Sequence, residues 1–313
     1  MKDKKVIFMG TPDFSVPVLE ALIENTNVIA VVTQPDKIVG RKNVLTFSPI
    51  KKVAISSNIP VFQPVKIRKE FENIIALNPD IIITCAYGQI IPKEILECPK
   101  YGCINVHASL LPNLRGGAPI HHAIIDGYEK TGVTIMYMNE KMDEGDIISQ
   151  EETIISIDDT TESLHNRLSL IGASLLMKTL PSIFDGTNSR ISQDNDKATY
   201  GFNIKREDEK INFGKTRQEI FNQVRGLYSW PGAYTTLDDH IIKVWKVIIG
   251  NETKSSKEPG TIVNYNKEGI VVNCLDGEII LNVIQPEGKA KMEASAYLNG
   301  LKNKEELINK KLV

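Results

Sequence analysis

The pattern of apolar and polar positions divides the chain near residue 190. Before that point, short and fully apolar runs at 5–9 (KVIFM), 28–32 (VIAVV) and 81–84 (IIIT) alternate with helical stripes such as Val18, Leu19, Leu22 and Ile23. Runs of this kind are strands buried on both faces, and strand, helix, strand at this spacing builds a parallel sheet through right-handed crossovers. The run at 103–109 is different, because Ile104, Val106 and Ala108 alternate with Asn105, His107 and Ser109. Residues i and i+2 share one face of a strand, so Asn105 and His107 point the same way. A loop, LPNLRGG, then leaves the strand's carboxyl end, where open α/β sheets place their ligand crevice. Gly116 to Pro119 opens a helix through His121, His122 and Ile125, and 132–138 and 147–155 are further strands, the second at an edge. A helix is predicted over 160–180, with Leu164, Leu168, Ile171, Leu175 and Leu176 inward and Pro181 as its stop.

Between 185 and 196 (DGTNSRISQDND) turn formers dominate and the period fades. Beyond it lie one helix at 216–225 and short β-rich runs at 233–237, 240–249, 260–264, 269–274 and 278–283, the pattern of a small β-barrel. The expected organisation is a domain over 1–188, a linker over 189–205 and a smaller β domain over 206–313.

Composition narrows the class. The chain has 313 residues with 37 basic and 39 acidic side chains, which argues against a protein coated in positive charge. The first residues enter a strand at once, leaving no room for a signal or transit peptide, and no apolar run approaches membrane-spanning length, so a soluble cytoplasmic protein is expected. The four cysteines form neither a CxxC pair nor a regular framework and are expected to be reduced, buried thiols.

Two loops add candidate chemistry. At 33–50 the pattern lapses, and Lys37, Arg41, Lys42, Lys51 and Lys52 gather against one acid, Asp36. That is either a solvated charged loop or an arm that grips phosphates. At 86–92, Ala86, Tyr87, Gly88, Gln89, Ile90, Ile91 and Pro92 follow a strand and either wall a flat apolar pocket or pack the core. The first turn, GTPDFS, lacks the glycines of a dinucleotide fingerprint.

Asn105 and His107 on one strand face, with Asp143 in the acidic loop MDEGDI, suit acyl transfer to an amine. The Asn105 amide and a charged His107 can donate to an oxyanion, while Asp143 favours the charged imidazole or relays a proton through water. The amine attacks directly, so no serine or cysteine nucleophile is required. Each residue also has a bland alternative: a structural histidine, a turn-capping asparagine, an aspartate that begins a turn.

The run NVHASLLPNLRGGAPI together with MDEGDI resembles the signature of the formyltransferases that use 10-formyltetrahydrofolate. The similarity extends through FMGTPDFSVPVLEAL, GRKNVLTFSPIK, FNQVRGLYSWPGAY and VIQPEGKAKM, and it is strongest to the branch whose acceptor is methionyl initiator tRNA. The resemblance implies a Rossmann-like, mostly parallel α/β domain followed by an OB-like barrel. It implies catalytic roles for Asn105, His107 and Asp143. It also implies a folate pocket formed by Phe14, Tyr87, Gly88, Gln89, Ile90, Ile91, Ser109, Leu110, Leu111, Pro112 and Asn139. Contacts to tRNA would come from Lys37, Arg41, Lys42 and Lys289. The co-substrate would be 10-formyltetrahydrofolate with no metal, and the enzyme would act as a monomer without a protein or membrane partner. Residues 206–313 carry 16 basic and 15 acidic side chains, so tRNA affinity there requires a local patch, for which Arg217, Arg225, Lys243, Lys246, Lys289 and Lys291 are candidates.

Overall fold

The computed structural model describes residues 1–39, 44–252 and 256–313. It contains two compact units, one of Met1–Pro119, Lys130–Ile154 and His165–Phe202, the other of Ile120–Glu129, Ile155–Leu164 and Asn203–Val313.

The first unit holds strands β1 (Lys5–Gly10), β2 (Asn27–Val32), β3 (Lys37–Val39), β4 (Val44–Thr46), β5 (Val61–Phe62), β6 (Ile81–Cys85), β7 (Cys103–His107), β8 (Lys130–Tyr137) and β9 (Ile147–Ile154). Seven of them form one sheet in the order β5-β2-β1-β6-β7-β8-β9. The first five in that order run parallel, as the apolar runs predict, and Val6, Ile7, Phe8 and Met9 of β1 are fully buried. β8 reverses direction and β9, antiparallel to it, turns back, which the pattern does not disclose. The stretch at 33–50, expected as a loop, contains β3 and β4, which pair with each other as a separate two-stranded sheet.

The long helix runs Thr161–Asp185, so Pro181 lies inside it and is not its stop. A proline in a helix interior costs about 3 kcal/mol. Here Pro181 is exposed, while the turn beyond it buries Ile183 and sets Phe184 edge-on to Tyr101 at 5.1 Å. Burying side chains of this size is worth about 1.5–3 kcal/mol each, enough to offset the proline. The helix is long and apolar enough to cross a bilayer, contrary to the sequence expectation. Its apolar face is nonetheless core: Leu168, Leu176 and Leu180 are fully buried, and a Cβ added to Gly172 would stand 3.0 Å from Val106 of β7.

Residues 189–202, most of the expected 189–205 linker, are bonded along the first unit. Ile191 exchanges main-chain hydrogen bonds with Ile147, Thr199 and Gly201 with Pro112 and Arg115, and the Ala118 N–H donates to the Gly201 carbonyl. These are main-chain bonds, which any residue type can make, so the segment needs no apolar period.

The second unit holds β10 (Ala233–Leu237), β11 (His240–Ile249), β12 (Ile262–Asn266), β13 (Gly269–Cys274), β14 (Gly277–Pro286) and β15 (Met292–Glu293). Their order is β10-β11-β14-β13-β12, all antiparallel, with β15 on β14. The chain's last residues join the two edges: Val313 exchanges main-chain bonds with Thr236 of β10, while Lys310 and Leu312 bond to Ile262 and Gly260 at the start of β12. The helix Arg217–Gly226 starts with a Thr216–Glu219 capping box and buries Ile220 and Val224 in this unit's core.

Candidate active site

Strand β7 presents Asn105 and His107 on one face, with Ile104 and Val106 buried on the other. Because β8 runs antiparallel to β7, its carboxyl end lies beside the amino end of β7, with Tyr137 opposite Ile104 and Thr134 opposite His107. Two loops, 108–118 from one end of β7 and 138–146 from the other end, therefore meet over its polar face. The expected crevice beyond the strand's carboxyl end becomes a site on the strand's face, and the reversal at β8 is the reason.

Asp143 is where the loops meet. Its Oδ1 accepts from Asn105 Nδ2 at 3.4 Å, its Oδ2 accepts from the Gly116 N–H at 2.9 Å, and the same Oδ2 stands 3.7 Å from His107 Nδ1. The residue has φ 52°, a left-handed backbone that costs energy for anything but glycine and persists only when its surroundings hold it.

Asn105 is oriented from β6, since Thr84 Oγ1 donates to its Oδ1 at 2.9 Å. That turns the NH₂ group toward the carboxylate. Among the described residues Asp143 is its one acceptor, which leaves a second N–H for an oxygen of a bound molecule. His107 is 6 % exposed, and its Nε2 lies 3.1 Å from the Leu114 carbonyl oxygen. A carbonyl can only accept, so Nε2 carries the hydrogen and Nδ1 is the nitrogen left to gain or lose a proton. The arrangement offers one fixed N–H, one imidazole nitrogen and one carboxylate, the parts needed to hold a developing oxyanion and move a proton.

The nearby nucleophile types are committed elsewhere. Ser109 is buried and donates to the Asn113 carbonyl at 2.6 Å. Burial pushes the Cys103 thiol up, and its sulfur lies 3.4 Å from the Ile95 carbonyl oxygen.

The remaining predicted residues are spread around the first unit. Phe14 is buried edge-on to His165, with ring centroids 5.2 Å apart. Tyr87 and Ile91 belong to a core cluster with Ile7 and Met9. The Tyr87 hydroxyl is buried without a hydrogen-bond partner among the described residues, and burial pushes it up to about 12. Gly88 turns the chain at φ 85°, and Gln89 accepts from the Ile67 N–H while donating to the Pro64 carbonyl. Ile90 is exposed, Leu110 and Pro112 are half-buried, and Leu111 packs with Met136 and Ile147. Asn139 is exposed and accepts from the Lys141 N–H. Lys37 is exposed on β3, while Arg41 and Lys42 lie outside the described residues. Lys289, exposed in the second unit, sits 5.4 Å from the Tyr297 ring. Sequence reasoning missed Thr84, Gly116 and the Leu114 carbonyl, because two of the three act through main-chain atoms that carry no side-chain signature.

A formyl transferase family model matches residues 4–180, and a model of the formyl transferase C-terminal domain matches 203–302. The methionyl-tRNA formyltransferase of Bacillus cytotoxicus is 56% identical over 305 residues, 95% of this chain and 96% of its own. That of Staphylococcus aureus (strain MW2) is 51% identical over 312 residues, 99% of each. Among solved structures, the sugar 3N-formyl transferase WlaRD, solved with dTDP and 5-N-formyl-THF, has a TM-score of 0.66 at 22% identity, covering 92% of this chain and 99% of its own. An N-formyltransferase from Helicobacter canadensis gives 0.66 at 24% identity over 90% and 99%. At these identities the two structures show the shared fold.

Proposed function

Because the chain belongs to the formyl transferase family, we propose that it moves the formyl group of 10-formyltetrahydrofolate onto the α-amine of methionyl initiator tRNA. The observation that carries the chemistry is the Asp143 carboxylate standing between the Asn105 amide, the Gly116 N–H and His107 Nδ1.

When bound, the folate supplies the formyl carbon and accepts a proton at N10 as it leaves. The α-amine, whose ordinary pKa is about 7.7–8.0, is partly neutral near pH 7 and attacks without prior activation. The free Asn105 N–H and a proton on His107 Nδ1 hold the negative charge that develops on the formyl oxygen. Asp143 keeps both donors in place and passes the proton lost by the amine toward N10. One N–C bond forms, one breaks, and one proton changes nitrogen.

The acceptor is supported by relatives that are 51–56% identical over nearly the whole chain and are named for methionyl-tRNA. The second unit adds a hollow of about 290 Å³ whose lining includes Phe221, Arg225, Tyr228, Trp245, Lys246 and Lys291 together with one acid, Asp158. Lys243 and Lys291 place their ammonium groups 5.3 and 5.1 Å from the Trp245 ring. Cations beside aromatic faces suit a phosphate backbone and its bases, and affinity there should fall as salt rises. Arg217 is excluded from this patch by its pairing with Glu252 and Asp276.

The test is formyl transfer from 10-formyltetrahydrofolate to methionyl initiator tRNA, methionyl elongator tRNA and an amino-sugar nucleotide in parallel. Transfer to the initiator alone is expected. Transfer only to the sugar would keep the chemistry and reject the acceptor.

A further inference from the structure

Asp143 needs something to hold its left-handed backbone, and the holder comes from fifty residues downstream. Gln193 donates both hydrogens of its side-chain amide to main-chain carbonyls of the acidic loop, one to Asp143 at 2.8 Å and one to Gly145 at 2.8 Å. Its Oε1 in turn accepts from Arg115 Nε at 3.1 Å and from a terminal guanidinium nitrogen of the same residue at 2.8 Å. Arg115 is 2 % exposed and also donates to Asn195 Oδ1 at 2.8 Å. One amide thus ties the loop that carries Asp143 to the loop that carries Gly116, the residue whose N–H donates to the Asp143 carboxylate. Around it, Ile191 pairs with Ile147 and Ser192 Oγ donates to Asp146, so the segment follows the acidic loop for its whole second half.

We propose that Gln193 is a positioning residue for formyl transfer, fixing Asp143 against Asn105 and His107 by gripping the carbonyls on either side of Glu144. This rests on the catalytic reading of Asp143 given above. The geometry explains why the residue type is an amide: it must offer two donors on one side and an acceptor to Arg115 on the other, and only Asn and Gln combine these in one neutral group. An error of about 1 Å in a catalytic group costs about 10²-fold in rate, so a support acting only through main-chain atoms can still control turnover.

Two substitutions separate positioning from anchorage. Gln193→Ala removes every contact. Gln193→Glu keeps the shape and strengthens the Arg115 pairing, but it places a carboxylate oxygen against two carbonyl oxygens. Positioning predicts that both lower kcat by about 10- to 100-fold, with KM for tRNA changed less than about threefold. In an Asp143→Asn background, Gln193→Glu should add less than about a twofold further loss, because the group it positions is already disabled. Thermal melting of each variant, followed by circular dichroism, reads folding separately. A Gln193→Glu enzyme with wild-type kcat overturns the proposal, as does a full multiplicative loss in the double variant or a lowered melting temperature with kcat unchanged. An Asp143→Asn enzyme with wild-type turnover would instead remove the catalytic reading on which the proposal stands.

Discussion

Segments 188–202 and 37–46 look alike in the sequence, since neither sustains a helical or strand period. They are built in opposite ways. The first is bonded to the loops that carry Gly116 and Asp143, through main-chain pairs with Ile147 and Arg115 and through Gln193 and Asn195. Of the second, the described strands β3 and β4 pair with each other, Lys37 against Thr46 and Ile38 against Leu45, and leave Ile38, Val44 and Leu45 more than half exposed. Its base is pinned where Asp36 meets Lys51 at 2.6 Å and Gln63 at 2.9 Å. A missing period therefore reports only that a segment has no apolar face to bury. What the segment does depends on where its groups find partners: in the first case within the site, whereas in the second Ile38, Val44 and Leu45 are left exposed for something else to cover.

The largest effect that would sharpen this contrast comes from Arg115→Ala. It strips two acceptors, Gln193 Oε1 and Asn195 Oδ1, of their donors, and leaving buried polar groups unpaired costs about 1–3 kcal/mol each. We expect a loss of about 2–4 kcal/mol in urea unfolding, with kcat down by about tenfold or more. An unchanged unfolding midpoint would show that the segment is not braced as described. A smaller and different effect is expected from Leu45→Ser. Stability should stay within about 0.5 kcal/mol, as for exposed positions generally, while KM for tRNA rises about three- to tenfold at unchanged kcat. A drop in melting temperature would mean that Leu45 packs into the fold.

The smallest effect concerns the hairpin's base. The hydrogen bond from Lys51, with a second from Gln63, holds the Asp36 carboxyl below its ordinary value of 3.8. A carboxyl lowered in the folded state contributes stability above its unfolded value and loses that contribution as pH falls through its folded value. Asp36→Asn should therefore melt slightly below wild type at pH 7, and the gap should close as pH falls below about 4. A gap that persists or widens at low pH would assign the contribution to something other than the charged carboxylate.

How much of this was legible depends on the kind of signal each residue leaves. The alternation around Asn105 and His107 put both side chains on one face of β7, since a two-residue period is a property of the strand itself. The apolar runs at 5–9 and 81–84 gave the parallel part of the sheet for the same reason. The direction of β8 left no trace, because a strand buried on both faces reads the same either way. Pro181 misled, because its helix cost is local while the burial of Ile183 that offsets it is tertiary. The tail's closure of the second unit's sheet runs through main-chain bonds of Lys310, Leu312 and Val313, which any residue type could make. Gln193 is the extreme case: a polar residue in a turn-rich stretch, bonded to carbonyls at Asp143 and Gly145 that no sequence pattern names.

The proposed chemistry depends on the Asp143 carboxylate organising the reacting groups on β7. Its most direct test is the single-turnover rate of formyl transfer by Asp143→Asn, with tRNA affinity measured on the same preparation. The substitution keeps the shape of the side chain and removes its charge and one acceptor. The rate should fall by about 10²–10³-fold with tRNA affinity nearly unchanged. A rate equal to wild type, with tRNA bound as tightly, would contradict it.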